Sequence, residues 1–192
     1  ITFNLKKTIY LFMTKIIFFI TILFNLLTLN SLASTLTIVS PENKNEFKKA
    51  YFAGGCFWCM EESFDSVRGV IESISGYSGG HVKNPTYNQV IYKDTGHVEA
   101  IEVSYDPKLV SYEELLKVFW TNIDPYDANG QFCDKGKSYR SVAFYQNLKE
   151  KKYIENSIYN IERQFSQKKV VTLVWKFEKF YSAEDYHQDY YQ

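Results

Sequence analysis

Apolar positions along this chain switch between two periods, and the switches mark out its elements. Ala50-Tyr51-Phe52-Ala53 is a short apolar run ending at Gly54-Gly55, which reads as a strand. Phe57, Met60, Phe64 and Val67 then recur at helical spacing, so a helix is predicted from Cys56 to about Val67, stopped by Gly69. Val70 to Ser75 reads as the next strand. The stretch from Gly76 to Gly96, rich in Gly, Asn, Pro, Tyr and Asp, reads as one long loop of the kind that carries function. Val98 to Tyr105 is a strand closed by Asp106-Pro107. Ser111 and Glu114 form a capping box ahead of Leu115, Leu116, Val118, Phe119 and Trp120, so a helix begins there. A polar loop from Asp124 to Lys137 contains Cys133, and Tyr139 to Tyr145 is predicted as a strand. Asn147 caps a long helix whose apolar stripe is Ile154, Ile158, Ile161 and Phe165. Val170 to Trp175 is the last strand candidate, and the tail from Ser182 is acidic and tyrosine-rich.

Strand, helix, strand, strand, helix, strand, followed by further pieces, is the order of an α+β fold. It predicts a single-domain two-layer sandwich with a ferredoxin-like core, a mixed sheet, helices on one face and long functional loops. There is no internal repeat. The N-terminus is a separate object. Ile16 to Leu29 is an apolar run preceded by Lys6, Lys7 and Lys15, with no acidic residue in 1–33. Its length suits the core of a signal peptide and falls short of the roughly 20 residues a membrane span needs. Small residues at Ser31 and Ala33 predict cleavage after Ala33, giving a signal peptide over 1–33, a Pro41-containing linker over 34–47 and a domain over 48–192. Met13-Thr14-Lys15 would open a shorter leader of the same kind. Export, most simply to a periplasm, is the expectation; an uncleaved membrane anchor is the alternative. Removing the leader leaves a mildly acidic mature protein without stable membrane association.

Composition narrows the function classes. The 22 Lys and Arg balance 22 Asp and Glu, so the basic excess of a nucleic-acid binder is absent. Aromatic residues make up 18% of the chain, with 16 Tyr, which suits an aromatic-lined, wet cleft as well as a core. Three cysteines cannot all pair, and two of them form a Cys56-x-x-Cys59 motif. In an oxidising compartment that set is better explained by catalysis than by a disulfide framework.

Cys56 follows two glycines and opens a helix, where unpaired N–H groups and the helix dipole favour an anion. Its thiol is therefore expected to ionise more readily than an ordinary cysteine, and a thiolate is a soft nucleophile. Cys59 lies one turn along the same helix. On the strand Val98–Tyr105, Glu99 shares a face with Ile101, Val103 and Tyr105, so it is the carboxylate expected to enter the interior, and Glu102 the one expected to face solvent. Burial raises a carboxyl pKa, which suits a proton donor near neutrality. No set of His, Cys and acidic residues has the spacing of a structural zinc site, and neither His97 nor His187 is assigned to catalysis.

These segments, in order, resemble one family. GCFW at 55–58, GYSGG at 76–80, NPTY at 84–87, TGHVEA at 95–100, DP at 106–107, CDKGKSYRS at 133–141 and YSAEDYHQDYY at 181–191 are similar to peptide methionine sulfoxide reductase A. The resemblance covers about Phe52 to Tyr191. It implies that Cys56 attacks the sulfoxide sulfur and becomes a sulfenic acid, and that Glu99 protonates or hydrogen-bonds the departing oxygen. It implies further that Tyr87 and Tyr139 hold that oxygen, that Phe57 and Trp58 receive the substrate methyl group, and that Asp134 lies near the bound substrate. The implied substrate is the S epimer of methionine sulfoxide in peptides or proteins. No bound cofactor or metal is implied; an external thioredoxin-like thiol is the reductant.

The chain departs from the family in two places. The residue after Trp58 is commonly Gly and here is Cys59, and the glycine-rich C-terminal segment that carries resolving cysteines in many members is not found in this sequence. The resolving thiol is then expected to be Cys133, on a loop, with Cys59 relaying the disulfide outward. Two other readings compete: a thioredoxin-like disulfide reductase using the CxxC, and a binding domain in which Cys56–Cys59 is a structural bridge.

Overall fold

The computed structural model describes residues 46–165 and 168–191. The expected leader over 1–33 and the linker residues 34–45 lie outside the described residues. The strands are β1 Lys48–Ala53, β2 Val70–Ser78, β3 Val98–Tyr105, β4 Gly130–Gln131, β5 Asp134–Lys135, β6 Val142–Tyr145, β7 Leu173–Lys176 and β8 Phe180–Ser182. The helices are α1 Phe57–Asp65, α2 Tyr87–Tyr92, α3 Tyr112–Thr121 and α4 Leu148–Gln164. The main sheet runs β7-β6-β1-β3-β2-β8, antiparallel except where β7 lies parallel to β6. Its central four strands, β6-β1-β3-β2, with α1 and α3 as the crossovers, are the ferredoxin-like arrangement predicted for the α+β sandwich. β4 and β5 form a separate small hairpin.

The helical face is held by Phe52, Phe64, Ile101, Leu115, Phe119 and Ile154, all fully buried. Phe52 stacks between Phe119 at 5.1 Å and Phe64 at 5.2 Å, tying β1 to α3 and α1. Truncating such a ring to Ala costs about 3–5 kcal/mol. The opposite face is also buried. Tyr51, Ala53, Val98, Ala100, Val142 and Phe144 are covered by Leu173, Trp175, Phe177 and Phe180 from the C-terminal third, with Tyr51 stacked on Phe177 at 3.7 Å.

Several expectations are corrected. The loop predicted over 76–96 begins with three more residues of β2, because the β2–β3 ladder continues to Ser78 opposite Val98. It also contains α2, whose start is fixed by a capping box between Thr86 and Gln89. Tyr139 ends a short 3-10 turn, Lys137–Tyr139, and β6 begins only at Val142. In α4 Ile154 alone is fully buried, and Phe165 is 53% exposed. Glu102, expected on the solvent side of β3, is buried against the C-terminal cover and receives hydrogen bonds from Lys49 Nζ and Tyr51 Oη at 2.5 and 2.8 Å.

Candidate active site

The site is assembled where β1, β2 and β3 deliver their ends to α1. After β1, Gly55 takes φ +83°, a left-handed turn that aims the chain into α1; a Cβ there would meet the Gln131 side chain at 2.5 Å. Cys56 is the residue that caps α1, half-buried, with the N–H groups of Cys59 and Trp58 directed at its sulfur. The helix terminus is as expected, but its effect is outweighed. Burial pushes the thiol up to about 12, the Cys59 and Glu99 charges add to the rise, and the two N–H groups oppose it. Cys56 is therefore a neutral thiol at rest, against the expectation of a readily ionised one. The physical reason is tertiary: the fold half-buries a residue that looks exposed in one dimension and brings Glu99 to the N–H of the adjoining Phe57.

Glu99 lies 2% exposed, with its Oε2 accepting the Phe57 N–H at 3.1 Å. Burial pushes its carboxyl up to about 8, the Phe57 N–H acts against that, and the Asp134 carboxylate adds to it. It is the protonated, interior acid that the strand pattern predicted. Tyr87 and Tyr139 share a side-chain hydrogen bond, and both feel the Glu99 charge. Tyr87 opens α2 and Tyr139 closes the 3-10 turn after β5, so two loops meet over Glu99. Asp134, half-buried on β5, acts on both Glu99 and Tyr139. Phe57 is 1% exposed, its ring 5.9 Å from Trp58 and 6.3 Å from Tyr87. Together these aromatic faces make an apolar wall beside a thiol, an acid and two phenols.

The C-terminal tail contributes what sequence reading left out. His187 is 2% exposed, with its ring 4.5 Å from Tyr87, 5.1 Å from Phe57 and 5.5 Å from Trp58, and burial lowers its pKa against the pull of Glu184. Neither of its ring nitrogens has a hydrogen-bond partner among the described residues. Glu184 receives the Tyr77 hydroxyl at 2.9 Å and the Tyr87 N–H at 3.0 Å, fixing β2 and α2 relative to each other. Gln188 clamps the tail to both the N–H and the C=O of Ser75 at 3.0 Å. Tyr190 stacks on Trp58 at 3.8 Å, nearly coplanar. In one dimension these contacts showed only as the YSAEDYHQDYY block of the family resemblance and the density of polar and aromatic residues in 181–191, without a role for any one residue.

The two remaining thiols differ. Cys59 is exposed one turn along α1, and its charge reaches Cys56. Cys133 is exposed in the tip of the β4–β5 hairpin, next to Phe132 with φ +47°. Among the described residues no group of three or more His, Cys, Asp and Glu could hold a metal ion.

Comparison with known proteins agrees with this geometry. The family model described as peptide methionine sulfoxide reductase matches residues 48–192. Peptide methionine sulfoxide reductase MsrA of Listeria monocytogenes is 49% identical over 150 residues, covering 78% of this chain and 85% of the relative. The Streptococcus pyogenes MsrA is 46% identical over 147 residues, covering 76% of this chain and 86% of its own. Among solved structures, methionine sulfoxide reductase A of Corynebacterium diphtheriae superposes with TM-score 0.68 at 28% identity, covering 75% of this chain and 73% of that one. Reduced Mxr1 of Saccharomyces cerevisiae gives TM-score 0.70 at 30% identity, over 75% of this chain and 83% of its own. Mxr1 in complex with Trx2 shares the fold, with TM-score 0.54 at 21% identity over 77% of this chain and 87% of that one. An ordered set of motifs, a helix-opening cysteine beside a buried acid and these relatives converge: the chain belongs to the peptide methionine sulfoxide reductase family.

Proposed function

We propose that this chain reduces the S epimer of methionine sulfoxide, in peptides and as the free amino acid, with Cys56 as nucleophile and Glu99 as proton donor. The observation that carries the reading is the Phe57 N–H to Glu99 bond: it holds a protonated carboxyl beside the cysteine that opens the same helix. A sulfoxide oxygen leaves poorly until it gains a proton, and a neutral acid supported by two phenols supplies one. At rest Sγ and Glu99 both carry their protons. The least costly path keeps the site's net charge constant. Glu99 gives its proton to the sulfoxide oxygen while Sγ bonds the sulfoxide sulfur, and the thiol proton replaces the one Glu99 has lost. The substrate's S–O bond then breaks as the hydroxyl passes to Sγ and the newly formed Sγ–sulfur bond opens, so Cys56 becomes a sulfenic acid and methionine departs; the cysteine sulfur is oxidised by two electrons and the substrate sulfur reduced by two. Phe57 and Trp58 supply the apolar face for the methyl group, and Tyr87 and Tyr139 hold the oxygen. Asp134 lies beside them, near the substrate.

A second thiol then attacks the sulfenic acid sulfur, forming a disulfide and releasing water. We assign this to Cys59 ahead of Cys133, because Cys59 lies in the first turn of the helix that Cys56 caps. Its α-carbon, one helical turn away, is within the span of about 4.4–6.8 Å that disulfides bridge. Its exposure also lets an external thioredoxin-like dithiol reach the bond and restore both thiols. Export with cleavage after Ala33 belongs to the same proposal and is checked by sequencing the N-terminus of the mature protein.

A single turnover tests the reading. Reduced protein is given excess peptidyl methionine S-sulfoxide without reductant, its remaining thiols are alkylated, and the cysteines are mapped by mass spectrometry. One methionine per protein with a Cys56–Cys59 disulfide is the expected result. A Cys56–Cys133 bond would move the resolving role to the hairpin, and three alkylated cysteines with unchanged sulfoxide would sink the reductase reading.

A further inference from the structure

Beside Tyr139 opens a cleft of about 640 Å³ between the end of α2 and the turn after β5. Its charged lining is one-sided: Lys93, Lys135, Lys137 and Arg140 against a single carboxylate, Asp94. That imbalance is local, since the chain as a whole carries 22 cationic and 22 anionic side chains. The pairing that exists does not neutralise the cleft. Lys135 is tied to Asp127 outside it. Asp94 meets Lys137 at only 3.5 Å, with both side chains more than four-fifths exposed, a pair that solvent screens almost completely. Arg140 is held in place by its Nε–H bond to the Lys137 carbonyl at 3.1 Å. Tyr92, 79% exposed, stands on the rim as an unused aromatic face.

We infer that this cleft seats the polypeptide flanking the oxidised methionine and favours acidic residues there. The inference rests on the reductase reading, because Tyr139 belongs both to the reacting site and to the cleft wall. A methionine whose sulfoxide oxygen lies on Tyr139 must pass its neighbouring residues over the adjacent surface. Each residue of extended chain advances about 3.3–3.6 Å, so side chains one to three positions from the methionine come within reach of Lys93 and Lys137. A carboxylate there meets cations on a flexible, hydrated rim. The gain is modest, salt-sensitive and greatest below physiological ionic strength.

The test compares capped hexapeptides carrying one methionine S-sulfoxide flanked by Glu or by Lys, turned over with dithiothreitol so that no protein reductant takes part. At low salt the Glu-flanked peptide is expected to show kcat/KM about three- to tenfold above the Lys-flanked one, narrowing as salt rises. The charge-reversed variant K93E/K137E should invert that ratio, an outcome that a damaged protein cannot mimic. Equal kcat/KM for the two peptides in the unmodified protein, or an unchanged ratio in the reversed variant, overturns the inference. So does a variant effect confined to turnover driven by a thioredoxin-like protein, which would make the patch a reductant dock. Fluorescence anisotropy of the labelled peptides on Cys56→Ser protein reads the cleft without chemistry. A neutral cleft and an inactive reductase therefore give different results.

Discussion

Glu99 and Glu102 stand three residues apart on β3, buried to within 2% and 8% exposure, and point to opposite faces of one sheet. Glu102 is met by a cation and a phenol from the neighbouring strand, Lys49 and Tyr51, the latter its register partner. Glu99 receives one backbone N–H and looks toward another carboxylate, Asp134. Burial is common to both; the partner differs. An acid buried with a cation becomes a tie between strands, whereas one buried beside a like charge holds its proton to about pH 8. The sheet thus keeps a structural carboxylate and a reactive one on the same strand.

The sharpest way to break this contrast is Glu99→Gln. The amide keeps the shape but cannot pass a proton, so kcat should fall by about 10²–10⁴-fold, as losing a positioned acid does. The Tm should scarcely move. A variant within threefold of the unmodified rate would remove Glu99 from the chemistry.

Next in size is the pH dependence. If Cys56 and Glu99 react from their protonated forms, kcat/KM is flat between pH 6 and about 8 and falls about tenfold per unit above, as Glu99 loses its proton. That descent should be absent in Glu99→Gln. A rate that instead climbs tenfold per unit up to pH 8 and then levels would mean that a pre-ionised thiol attacks, and the charge-neutral relay would have to be abandoned.

The smallest effect belongs to the other face. Glu102→Gln removes the charge that holds Lys49 and weakens the bond from Tyr51, costing about 1–3 kcal/mol of stability. A lowered denaturation midpoint with kcat unchanged is expected. A loss of activity comparable to that of Glu99→Gln would erase the distinction between the faces.

How far this could be seen in one dimension depended on the reach of each interaction. Patterns local in sequence were legible: the capping box at Ser111, the Phe57/Met60/Phe64 stripe, and the interior orientation of Glu99. The Thr86–Gln89 capping box was equally local, but it lay inside a stretch whose Gly and Pro content suggested only loop. Glu102 was misread because alternation assumes one wet face, while β3 is covered on its second side by Trp175, Phe177 and Phe180, some 70–80 positions away. The Cys56 thiol was misjudged for a related reason. The N–H groups at the helix start that lower its pKa are local, whereas burial in the folded chain raises it, and Glu99, which adds to the rise, comes from a strand more than forty positions away. Family resemblance, rather than periodicity, singled out Tyr87 and Tyr139 from sixteen tyrosines. Their shared hydrogen bond joins residues 52 positions apart, beyond any periodicity.

The tail that closes the site has a consequence for when the protein becomes reactive. Glu184, His187, Gln188 and Tyr190 follow every other site residue in chain order, yet they hold α2 to β2, line the thiol's aromatic wall and cover Trp58. Synthesis proceeds from the N-terminus at about 5–20 residues per second, so these residues leave the ribosome after the rest of the site. Until they emerge, Cys56 exists without its finished pocket. Its chemistry waits for residues 184–190 to dock, which makes the seating of this segment the event that arms the nucleophile.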